Sequence, residues 1–303
     1  MLYGTTLLFI GFQTMDQTST TYTPQNPLAK HFRQPVIYLK LPSGGAFWPE
    51  GSIDLPLNKE IPVLAMSTKD EIILKTPDAL LNGQGVVNVI QSCCPNIKDA
   101  WKMPSVDVDA AIIAIRIASY GNQMDFTSEC PHCKETSDYA IDLGATLNTL
   151  TAPTYRDKVS VEDLKIKLKP QPYFSVNRAN MIAFEEQQIL RTLETADTNP
   201  EEAKTMFDQQ LDKLIDLNVL ILVDSTEYIE TADGSIVYDT NFIYEFYQNC
   251  DTVVTKAIRD QLAEYSKIAG LKPVPVECKN EECAKDFDVN ITFDFASFFG
   301  KGS

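Results

Sequence analysis

Histidine is nearly absent: His31 and His132 are the two in 303 residues. That leaves little imidazole for general acid–base work. His31 stands in a polar stretch with no nucleophile in a partnering pattern. A nucleophile elbow, a zincin helix, a phosphate-binding loop and a dinucleotide fingerprint are all missing. The glycines of "LNGQG" mark a turn, and the pairs Glu185-Glu186 and Glu201-Glu202 read as solvated helix faces. No catalytic residue and no small-molecule site is expected. Cations are also scarce. Lys and Arg number 26 against 42 Asp and Glu, a formal net charge of −16. Phosphate-backbone binding needs the opposite balance, so a nucleic-acid partner is disfavoured and an electropositive protein partner favoured. No apolar run is long enough to span a membrane. The opening "MLYGTTLLFIGF" is interrupted by Thr5, Thr6 and Gly11, and lacks the basic flank and cleavage site of an export signal. No internal repeat points to a solenoid.

Seven cysteines are present, and their spacing does not resemble a secreted disulfide framework. A reducing compartment follows, which keeps thiols free for metal. Cys93, Cys94 and Cys250 have no ligand spacing and read as core thiols. The other four form two pairs. Cys130-Pro131-His132-Cys133 precedes the strand-like "SDYAIDL", and Cys278 and Cys283 enclose "KNEE" before the strand-like "FDVNITFDF". A redox CxxC opens a helix, whereas both pairs here sit in a turn before a strand. Four thiolates in two such knuckles can close a tetrahedral Zn²⁺ shell with no open position, a structural site. Unrelated buried or free thiols are the competing reading. His132 reads as a solvent-facing turn residue.

Pattern places the other elements. Residues 13–33 are a polar lead-in, and "PVIYLKL" is a strand. The turn "PSGGAFWPEG" carries Phe47 and Trp48, either sealing a small core or anchoring an interface. In "MSTKDEIILKTPDALLNG", Ser67 or Thr68 can cap a helix, with Glu71 at the capping-box position from Thr68. Residues 85–93 form a short helix. Residues 104–120 read as a helix capped by Ser105 or Asp107, with a strand alternative because of their β-branched content. Arg116 reads as a solvated or salt-bridged face residue. "VEDLKIKLKP" alternates like one strand, and residues 144–160 are looser. Helices are expected over 176–195 and from Pro200 onward. A hairpin is expected at Asp233-Gly234, then a helix from Asp239 or Thr240 that ends before Gly270. The closing "FDFASFF" puts Phe293, Phe295, Phe298 and Phe299 near the end, as core or as docking surface.

Several ordered pieces resemble the T4-like bacteriophage baseplate protein family. They are "LPSGGAFWPEGSIDL", "MSTKDEIILKTPDALLNGQGVVNVIQSCC", "VDVDAAIIAIRIASYG" followed by "CPHC", and "CKNEECAKDFDVNITFDFASFF". The resemblance implies a non-enzymatic protein of a contractile phage tail, a subunit or assembly factor of the baseplate hub. It implies other baseplate, hub and tail proteins as partners, and a virion protein assembled in the host cytoplasm. It also implies Cys130, Cys133, Cys278 and Cys283 as ligands, although the second pair is two residues wider than the first.

The expected fold is α+β, a mainly helical body with short strands and a discontinuous zinc-ribbon-like four-cysteine module. Its parts are an extended arm over 1–33, an α+β region over 34–145 with the first knuckle half, a mainly helical insertion over 146–270, and a strand region over 271–303 with the second half and the aromatic tail. Deleting 293–300 is expected to weaken partner binding and leave the body folded. A nucleic-acid-binding zinc ribbon and a redox or metal-dependent enzyme are the alternatives.

Overall fold

The computed structural model describes residues 26–76, 83–195, 213–290 and 298–299. The expectations for the first 25 residues, Pro77, Pro200, Phe293 and Phe295 lie outside the described residues. Two units are distinguished, 1–33 and 34–303. In the first, the described residues form a single 3₁₀ turn at Ala29–His31.

The second unit is mixed α+β, with helix in the majority and only antiparallel strand pairs among the described residues. Strand β1 (Pro35–Lys40) pairs with β2 (Glu60–Leu64), followed by α1 (Thr68–Leu74), α2 (Gln84–Cys93) and α3 (Ser105–Tyr120). The α1 cap is Ser67, the first of the two expected candidates. Its partner is Asp70, whose carboxylate accepts the Ser67 N–H at 2.7 Å and also the Ser92 hydroxyl of α2 at 3.1 Å. A buried Asp therefore fills the role assigned to Glu71, and it ties α1 to α2 as well.

Helix α3 is the axle of the first core. It packs against β1, β2, α2 and α5 (Tyr173–Thr195), and against α4 (Leu143–Thr149). A helix covered on most sides must be apolar nearly all round, and its alanines let neighbours approach. Val108, Ala110 to Ile115, Ile117 and Ala118 are all buried. This burial explains why a β-branched run is helical: packing outweighs its weak propensity. Pro104, not Ser105 or Asp107, holds the N-cap position. Asp107 instead points back to the aromatic turn, accepting from Ser43 N (2.8 Å), Ser43 Oγ (2.5 Å) and Trp48 Nε1 (2.8 Å).

Arg116 is not a face residue. It is 6% exposed, donates through Nε to the Phe298 carbonyl at 2.9 Å, and lies 4.6 Å from the Tyr120 ring centre. Burial lowers its pKa.

The chain leaves α3 through Gly121 (φ 89°), forms the hairpin of β3 (Gln123–Glu129) and β4 (Thr136–Asp142), and returns through α4. Asp142 caps α4 by accepting from Gly144 N and Ala145 N. The 144–160 stretch, expected to be loose, thus holds a helix and a strand. A second core follows. Strands β5 (Lys158–Val161), β6 (Leu164–Leu168), β7 (Thr226–Glu230) and β8 (Ile236–Val237) form one sheet in sequence order. The "VEDLKIKL" run is therefore the end of β5, a turn at Glu162 (φ 53°) and β6, rather than one strand. The β7–β8 hairpin turns at Asp233-Gly234 as expected, with Gly234 at φ 84°. Helix α6 comprises residues 213–224 as described; α7 (Thr240–Asn249) and α8 (Thr252–Ala269) complete this lobe. The single helix expected from residue 240 is two, because Asp251 caps a new one by accepting from Val253 N at 3.0 Å. The 146–270 span is thus helices built on a four-stranded sheet. Strands β9 (Val274–Glu277) and β10 (Asp286–Val289) then pair, and Phe298 and Phe299 enter the first core.

One consequence of the α3 core is pH-dependent. Asp109 is half-buried, its side chain has no hydrogen bond or ion pair among the described residues, and burial pushes its pKa up to about 6. A carboxyl raised in the native state binds a proton there that the unfolded chain has released. Its contribution to stability is therefore present at low pH and lost as pH rises through about 6. Asp109→Asn is expected to be neutral near pH 4 and to stabilise by about 2 kcal/mol at pH 7.5. Urea denaturation at both values tests this; an equal shift at both would refute it.

Candidate metal centre

The four cysteines meet although the two pairs are far apart in sequence: Cys133 and Cys278 are separated by 145 positions. Their sulfurs all lie within 4.8 Å of one another. Cys130 Sγ is 4.0 Å from Cys283 Sγ, and Cys133 Sγ is 3.6 Å from Cys278 Sγ. These are not disulfides, whose sulfurs sit at about 2.05 Å. Zinc–sulfur bonds of about 2.3 Å on a tetrahedron separate sulfurs by about 3.8 Å, between the two distances seen. The donor set therefore fits a four-coordinate soft cation.

Each pair sits in the loop of a hairpin, and the two loops are built alike. The first is closed by Cys130 N donating to Glu135 O and Lys134 N donating to Cys130 O, both at 2.9 Å. In the second, Cys278 N donates to Lys285 O at 3.0 Å. The residue after each second cysteine turns left-handed, Lys134 at φ 65° and Ala284 at φ 41°. The two extra residues of the second loop are absorbed at Asn280. Its side chain accepts from Glu282 N at 2.9 Å, and its carbonyl accepts from Cys283 N and Ala284 N. Asn280 Nδ2 also donates to Glu135 across the module, bonding one knuckle to the other.

Backbone N–H groups point at the sulfurs. Those of Cys133 and His132 serve Cys130, that of Asn280 serves Cys278, and that of Lys285 serves Cys283. Burial opposes ionisation of Cys130, but these N–H groups and the neighbouring thiols hold its pKa down at about 7. Cys278 has an Asn280 N–H favouring its thiolate, yet burial and the other thiols push it up to about 12. Four thiolates this close repel one another, and a dication is what lets all four ionise. His132 is exposed and holds no position in the sulfur cluster. Among the described residues, Cys93 and Cys94 are buried and Cys250 is half-buried, away from the cluster.

The module has a small core of its own: Cys130, Tyr139, Cys278 and Phe287 buried, with Phe126 and Val276 against them. Tyr139 meets Phe287 edge-on at 5.8 Å, and Lys279 lies over the Tyr139 ring. The two hairpins, 123–142 and 274–289, carry ten acidic residues and three lysines, so the module is strongly negative. The redox alternative needed a helix after the CxxC; β4 follows instead.

A model of the family described as T4 bacteriophage base plate protein matches residues 37–300. The chain belongs to that family. No curated protein and no solved structure matches the chain. The matched span of this baseplate protein contains both knuckles, both cores and the buried Phe298–Phe299 pair. Among the described residues, no helix is long and apolar enough to cross a membrane.

The aromatic interface candidates separate. Phe298 and Phe299 are 1% and 8% exposed, so their rings fill the core of this chain and offer no free docking surface. Trp48 packs against the same core and is tied to Asp107. Phe47 is 39% exposed, at φ 68°, with its ring edge-on to Tyr155 at 5.2 Å. Sequence reasoning missed Asn280 as the residue that accommodates the wider second pair. An Asn two residues after a knuckle cysteine is a visible Asx-turn signal.

Proposed function

We propose that this protein is a non-enzymatic structural or assembly component of a contractile-tail baseplate, acting in the hub through contacts with other tail proteins. The family match over 37–300 carries this reading. The four cysteines support it in a specific way. Four protein sulfurs saturate a tetrahedral zinc ion, so Zn²⁺ held by Cys130, Cys133, Cys278 and Cys283 fastens strands and leaves no coordination position for substrate. When bound, the metal supplies a crosslink between two hairpins. The residues of this chain set the sulfurs in place, through the N–H groups above and the Asn280–Glu135 bond. In this reading 146–270 is an insertion carried between the two halves of the module. Its partner surface is electropositive, to match the acidic hairpins. The site of action is the virion tail, reached by assembly in the host cytoplasm.

Tagged protein expressed during infection, followed by sedimentation of tail intermediates, tests the assignment. The protein is expected in hub-containing fractions, retained in or lost from the finished baseplate. Its absence from every hub intermediate, with free monomer throughout, would overturn the proposal.

A further inference from the structure

A cleft of about 310 Å³ opens where the first turn of α3 meets the β6–α5 connection, α6 and the second half of α8. Its wall departs from the rest of the chain. Acidic residues make up 42 of 303, yet no Asp or Glu lines this cleft, and Lys169 does. Among the described residues the Lys169 ammonium has no ion pair or hydrogen-bond partner. Tyr155 and Tyr265 also line the cleft, each 8% exposed, their rings 4.5 Å apart. Neither hydroxyl has a hydrogen-bond partner among the described residues, and neither is among the buried unsatisfied polar atoms, so both are open to a ligand in the cleft. Burial, then the neighbouring phenol for Tyr155 and nearby Asp157 for Tyr265, raises both above the ordinary tyrosine range, so both remain donors. Ser105 adds a hydroxyl at the positive end of a 16-residue helix that lacks a side-chain cap. Ile221 and Leu262 supply apolar wall. Phe47 stands edge-on to Tyr155 and fixes its ring.

We propose that this cleft binds a carboxylate carried on an apolar body, with Lys169 as the counter-charge and Tyr155, Tyr265 and Ser105 as donors. One ammonium matches a single negative charge. The volume is at the small end of ligand sites and takes about one large amino-acid residue. The carboxylate belongs either to a free acyl amino acid or to the chain end of a polypeptide. Both present the same chemistry.

Calorimetric titration of the full-length protein with N-acetyl-leucine and with N-acetyl-leucinamide tests the site, and needs no baseplate component. The acid is expected to bind at least about tenfold more tightly than the amide. Lys169→Met is expected to abolish that preference, and Tyr155→Phe to weaken acid binding about three- to tenfold. Both variants should keep the wild-type circular dichroism spectrum. N-acetyl-Ala-Ala-Leu is the third probe: tighter binding than the single residue assigns a chain end, and equal binding a small molecule. Equal affinity for acid and amide, no uptake of either, or an intact preference in folded Lys169→Met would overturn the proposal.

Discussion

Purified protein is expected to carry about one zinc per chain, and Cys278→Ser is expected to destabilise it by more than about 4 kcal/mol. The size follows from how little else holds the module. It consists of two two-stranded sheets around four buried side chains. An isolated two-stranded hairpin is marginal in water, and so small a core does not close the gap. A metal bound to the four sulfurs would supply the difference, and losing one ligand would leave the remaining thiolates to repel one another in a buried site. In thermal unfolding the variant should lose about 10 °C or more. His132→Ala, at an exposed knuckle position, should change neither zinc content nor melting. Elemental analysis and differential scanning calorimetry decide the matter. A metal-free protein that melts like the untreated one would exclude the structural zinc.

The knuckles were legible because each is local: two cysteines in a turn, then an alternating strand. Their joining rests on a long-range contact that spacing alone does not give, and the sulfur geometry supplies it. Other features were hidden for identifiable reasons. Along α3 nearly every side is apolar, so periodicity does not reveal which way Arg116 points. Its partner is a carbonyl 182 positions away. The sheet of the second core is hard to see in the sequence because it is assembled from short strands on both sides of α5 and α6. Lys158–Val161 is only four residues long. Of the two expected α1 caps the fold uses Ser67, because Asp70, and not Glu71, completes the capping box. Buried polar groups such as Asp107 are recognised by what they accept, and Trp48 and Ser43 lie 59 and 64 positions away.

The burial of Phe298 argues against the expectation that deleting 293–300 leaves the body folded. Phe298→Ala is expected to cost about 3–5 kcal/mol, the range for a large aromatic lost from a packed core. The ring is among the largest fully buried side chains and meets Phe299 edge-on at 5.1 Å. Phe299 in turn lines a small apolar gap with Leu74, Val86 and Ile112, so the pair closes α1 and α2 onto α3. The backbone is held too, because the Phe298 carbonyl takes the Arg116 Nε–H. Arg116 Nη1 is buried without a hydrogen-bond partner among the described residues. Displacing Phe298 would take away the Nε partner as well, leaving a buried cation less compensated. Deleting 298–303 should therefore be at least as damaging as Phe298→Ala. Arg116→Met is expected to cost less than either, since it removes the charge together with its desolvation penalty and keeps an unbranched apolar stem in the core. Phe47→Ala, at a ring 39% exposed, should cost about 1 kcal/mol or less. Urea denaturation of the four variants orders them. If Phe298→Ala unfolds at the wild-type midpoint yet fails to join tail intermediates, the ring acts at a partner interface instead of in the core.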